Sequence, residues 1–180
     1  MSFFLPLNRG FFGKSLAMAS NKIIEKYYEN LCRKHVDIAH GDKTKRFFRI
    51  ELDEVLLSQL KSDVRFPFVS LERLEYRFVH PAGQASKRKI VALMFVDKSQ
   101  NSPEKISDTY DRMEEIADDF LNKTYEDIRE NLTPFTDFDW NSVDAAQIPY
   151  NVTTGVCGIR LVFEAPENYN HSVNTKKWNS

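Results

Sequence analysis

Cysteine is scarce in this chain, with two in 180 residues, and that alone excludes a fold stapled by disulfides. Neither Cys32 nor Cys157 has a second Cys at metal-ligand spacing, so a reducing compartment is the simple reading. Glycine is also thin, at 6 residues. Gly155 and Gly158 are too few for a phosphate-cradling loop and precede a strand rather than a helix. No apolar run approaches the ~20 residues that span a bilayer, so no membrane contact is expected. The net charge of -1 supplies no global field toward nucleic acid or acidic lipid. Internal repeats, low-complexity tracts and linkers are missing as well.

Catalytic signatures are equally sparse. His35, His40, His80 and His171 form no HxH or HExxH motif. Cys157 sits near two glycines, but no strand-turn-helix GxSxG pattern surrounds it. Glu114-Glu115 and Asp118-Asp119 could suggest a two-metal carboxylate site. They fall on the polar face of an amphipathic helix, where acids are usually solvated. The expectation is a protein that is not an enzyme, with no catalytic residue, no cofactor and no metal. Asn131, Asn151 and Asn170 each open an Asn-x-Ser/Thr triplet, read as chance matches without a secretory signal.

What the chain does have is aromatic side chains, 13% of residues, led by 14 Phe and 7 Tyr. Aromatics supply large buried areas to cores and to subunit interfaces alike. Hydrophobic residues at 42% and charged ones at 28% are ordinary for a soluble globular domain. This length can bury roughly 70% of the extended-chain surface around one core.

Residues 1–20 stand apart, with Arg9 and Lys14, scattered Phe, and no acid before Glu25. That composition suits an import presequence, but Pro6, Gly10 and Gly13 interrupt any long amphipathic helix. The favoured reading is an N-terminal arm whose Phe3, Phe4, Phe11 and Phe12 dock on the body or on a neighbour. A presequence, or an extension ahead of a natural start at Met18, are the alternatives.

Downstream, Ser20 or Asn21 caps a helix running to about Val36, with Ile23, Ile24, Tyr27, Tyr28 and Leu31 on one face. Arg46–Ile50 is a short strand, and Asp53 caps a short helix. Phe68 to His80 reads as one strand with an irregularity near Glu72. Pro81-Ala82-Gly83 signals a turn, followed by a loop carrying Lys87, Arg88 and Lys89. Ile90–Val96 is a central strand, antiparallel to the one before it. Ser102-Pro103 opens a long helix continuing to Arg129, with an apolar stripe from Ile106 to Leu121 and an acidic opposite face. Two strands follow, one towards Ile148 and one over Gly158–Phe163. The order predicts an α+β fold: a mainly antiparallel sheet with a long helix and one or two shorter helices on one face. Residues 21–164 form the single domain and 165–180 a polar tail.

Taken together, the helix leading into Asp37-Ile38-Ala39-His40, then Phe47-Phe48-Arg49-Ile50, Leu60–Pro67 and Leu71–Phe78 form a pattern. It continues with Glu115–Leu121, Phe138, Gly158–Phe163 and Lys177-Trp178. From about Lys22 to Trp178 the chain resembles the tail-terminator and tail-completion virion proteins of tailed phages and prophages of Bacteroidetes-type hosts. The resemblance implies a structural virion protein in a homo-oligomeric ring, a hexamer in such families, contacting the tail tube and neck or connector proteins. It implies virion localisation, with assembly in the host cytoplasm. Lys87, Arg88 and Lys89 would be interface or lumen contacts, touching DNA backbone without reading sequence. The alternative is a non-viral protein-binding or assembly module, organelle-targeted if residues 1–20 are a presequence.

Overall fold

The computed structural model describes residues 20–49, 64–79 and 86–167. The expected Phe contacts of the N-terminal arm, the helix from Asp53, the Pro81-Ala82-Gly83 turn and residues 168–180 lie outside the described residues. Helix α1 spans Asn21–Lys34, and α2 spans Pro103–Arg129. Six strands are β1 (Phe47–Phe48), β2 (Phe68–Leu71), β3 (Glu75–Val79), β4 (Ser86–Lys98), β5 (Asp139–Asn151) and β6 (Val156–Glu167). They form one sheet in the order β1-β2-β4-β6-β5, with β3 pairing the first half of β4. The fold is α+β and mostly antiparallel, and β1–β2 is a parallel pair at one edge.

Each element follows from local chemistry. Ser102 Oγ accepts the Lys105 N–H at 3.3 Å, and Pro103 at the first helical position has no N–H to leave unpaired. At the other end Asn131 takes φ 57°. Its N–H reaches Ile128 O at 3.0 Å, and Leu132 N–H reaches Asp127 O at 2.8 Å. That is a Schellman closure, so the first glycosylation-like triplet is a helix cap. The second is a turn, because Asn151 Oδ1 accepts the N–H groups of Thr153 and Thr154 before Gly155 at φ +66°.

Three expectations need correction. Phe68–His80 is not one strand, since residues 72–74 break it into β2 and β3. Ile23 does not join the buried face of α1, being 51% exposed, while Ile24, Tyr28 and Leu31 are buried. The last strand is longer than the one expected over Gly158–Phe163, because β6 runs from Val156 to Glu167.

Alternation along the strands sorts side chains to two faces. Val91, Leu93 and Phe95 of β4, with Ile159, Leu161, Phe163 and Ala165 of β6, join residues of both helices in the main core. Helix α2 packs across β4 and β6, and α1 contacts β2. Residues of the other parity, Phe68, Met94, Val96 and Val156, form a smaller cluster. Beyond it that parity turns ionic. Arg160 pairs with both oxygens of Glu72 (3.0 and 2.7 Å), and Arg77 pairs with Glu164 at 2.6 Å.

Candidate functional site

Lys87, Arg88 and Lys89 are not at a loop tip. They lie in β4, opposite Phe78, Arg77 and Tyr76 of β3 and opposite Glu167, Pro166 and Ala165 of β6. Lys87 and Lys89 are buried. Lys87 Nζ stands 4.5 Å from the Tyr76 ring centroid, and Lys89 Nζ donates to Asn21 Oδ1 at 2.8 Å. Arg88 contacts Asp139 and lies 3.4 Å from Glu164. In sequence, a run of three cations has the composition of a solvated turn. The acids and the ring that receive them come from other strands.

Three clefts are lined by described residues. Between the helices, about 300 Å³ is lined by Leu31, Lys34, His35, Asp119, Phe120 and Lys123. His35 Nδ1 accepts the Asp37 N–H at 3.3 Å, which leaves Nε2 to face Asp119 Oδ2 at 3.2 Å. An acid orienting an imidazole is half of a nucleophile-activating set, but this lining offers no hydroxyl or thiol to activate. The pair ties the C-terminal end of α1 to α2.

A second cleft of about 440 Å³ lies between α1 and residues 40–49, among Glu25, Glu29, Arg33, His40, Lys45 and Arg49. His40 Nδ1 accepts the Arg46 N–H at 3.0 Å. Burial, and then the Arg33 charge, hold its pKa below the ordinary value. Arg49 and Arg33 pair with Glu25 and Glu29. A third cleft, about 350 Å³, opens at the start of α2 among Lys98, Lys105, Asp108 and Arg112. Lys105 there pairs with Asp108 at 3.0 Å.

The two thiols are buried, and burial pushes the pKa of both upward, away from the reactive thiolate. Among the described residues, no group of three or more His, Cys, Asp or Glu side chains is placed to hold a metal ion. No described helix is long and apolar enough to cross a membrane.

The most distinctive surface is not a cleft. Tyr125 of α2 stacks edge-on against Trp140 of β5, ring centroids 5.1 Å apart, and Phe138 lies 4.8 Å from Trp140. Trp140 is 47% exposed and Tyr125 36%. The Arg129 guanidinium sits 6.0 Å from the Tyr125 centroid. Trp, Tyr and Arg are the side chains that dominate binding at protein interfaces. The trio flanks β5, which pairs only with β6 among the described strands. Irregular register marks both ends of β5, between Asp139 and Asp144 and between Ile148 and Asn151, leaving a regular stretch between them. That stretch, Asp144–Ile148, is mostly exposed. Its sequence signal is polarity at both parities of Asp139–Asn151, the mark of an edge strand.

No family model, curated protein or solved structure matches the chain.

Proposed function

We propose that this chain is a structural virion protein of a phage tail or neck, a ring-forming tail terminator, completion or head-tail joining protein. One observation carries the reading: among the described strands one sheet has unlike edges, two-residue β1 at one end and thirteen-residue β5 at the other. Unlike ends associate head to tail, and such contacts make rings when the rotation closes. In this reading both helices form one layer over the face carrying Val91, Leu93 and Phe95. The element order, helix, strands, long helix, two strands, supports the resemblance to tail terminators. Contact with DNA through Lys87, Arg88 and Lys89 is not part of the proposal, because these cations are engaged within the chain.

The exposed Tyr125–Trp140 pair also favours a second reading, a monomeric binding module that holds a different protein on this surface. Electron microscopy of the purified full-length protein separates the two. The ring reading predicts end-on views of a closed particle with a central hole. Particles no larger than one 21.0 kDa subunit would overturn it and leave the binding module.

A further inference from the structure

Charge divides along the sheet, from one edge to the other. Helix α2 carries nine acidic and four basic residues, a net charge of -5. Tyr110 donates to Ile148 O of β5 at 3.0 Å, and Tyr125 meets Trp140, so these two tyrosines define the side of α2 that faces β5. Glu114 and Asp118, four and eight residues after Tyr110, continue that side. With Asp111 they are exposed, and among the described residues none of the three has an ion-pair partner.

The opposite edge is basic. Residues 40–49, which include β1, together with residues 64–65 hold Lys43, Lys45, Arg46, Arg49 and Arg65 against Asp42, a net charge of +4. Arg65 belongs there because its N–H reaches Lys45 O at 3.4 Å. Lys43, Lys45 and Arg65 are exposed, and among the described residues none has an ion-pair partner.

We infer that the α2–β5 flank of one subunit seats on the β1 flank of a second copy of this chain. Tyr125 and Trp140 are its apolar anchor, and Glu114 and Asp118 face Lys43 and Lys45. The occupant is a second copy because one molecule carries both signs at opposite ends of one sheet, so every contact leaves a complementary pair of ends free to continue. Two acidic flanks, or two basic ones, would repel, which directs the contact head to tail. The inference rests on the ring reading and specifies its interface.

The test is charge exchange, read by native mass spectrometry. The variant E114K/D118K takes α2 from a net charge of -5 to -1 and opposes lysines to Lys43 and Lys45, and K43E/K45E takes the β1 flank from +4 to 0 and opposes acids to Glu114 and Asp118. Each alone is expected to lose assembly, with association weakened about tenfold or more. Their equimolar mixture is expected to regain the wild-type copy number with both masses in equal share. All four positions are exposed, so thermal melts of each variant should match wild type. Trp140→Ala, which changes no charge, is expected to weaken assembly as well. A wild-type oligomer that survives every substitution would overturn this interface and leave the ring standing. A mixture that stays dissociated would also overturn the interface, and a monomeric wild type would overturn interface and ring together.

Discussion

Gly158 is where strand pairing leaves no room for a side chain. It lies in β6 between Val96 of β4 and Ile148 of β5. A Cβ built there would stand 1.9 Å from Phe95 O, and 3.0 Å from both Phe95 C and Val96 Cα. The obstacle is backbone at the centre of the sheet, so no rotamer change relieves it. Moving the carbonyl out of the way strains the β4–β6 ladder beside buried Phe95 and Val96. Overpacking of this kind costs about 1–3 kcal/mol and occasionally more. A clash with backbone places Gly158→Ala at about 3 kcal/mol, a fall in Tm of about 6–12 °C for a chain of this size. Gly41→Ala is the control, because nothing lies within 4 Å of its Cβ. Urea unfolding of both variants by circular dichroism is the assay. A Gly158→Ala midpoint equal to that of Gly41→Ala would refute the β4–β6 register.

Other substitutions probe separate parts of the fold. Asn131→Ala should cost about 1 kcal/mol, because φ 57° penalises a Cβ that Asn tolerates better. Asn131→Gly should keep wild-type stability, and thermal melts that rank Ala above Gly would contradict the cap. Ser102→Ala removes the acceptor for Lys105 N–H and should destabilise by about 0.5–1 kcal/mol, while Ser102→Asp should not. His40 has a folded pKa below its unfolded value, so protonation opposes folding. Its contribution to stability is full above about 6.5 and shrinks as pH falls below that value. Protonation would also put a proton on the Nδ1 that accepts the Arg46 N–H. His40→Gln should therefore flatten the pH dependence of Tm on the acid side, and an unchanged slope would count against this environment.

Long elements with strong local signals were legible in the sequence. Ser102-Pro103 and the apolar spacing through Leu121 place α2, and Ile90–Val96 reads as a covered strand because both of its faces are buried. What escaped depends on partners distant in the chain. Lys87, Arg88 and Lys89 look like a turn until Tyr76, Asn21 and Asp139 are brought beside them. The parallel β1–β2 pair has two residues, too few to show a period. The Tyr125–Trp140 pair joins a helix to a strand fifteen residues later, across a cap that no periodicity connects.

Head-to-tail assembly is the central claim, and light scattering on the full-length protein over a range of concentrations tests it most directly. A closed ring predicts one oligomer, near six copies, whose mass does not change on dilution. A mass of 21.0 kDa at every concentration would contradict it.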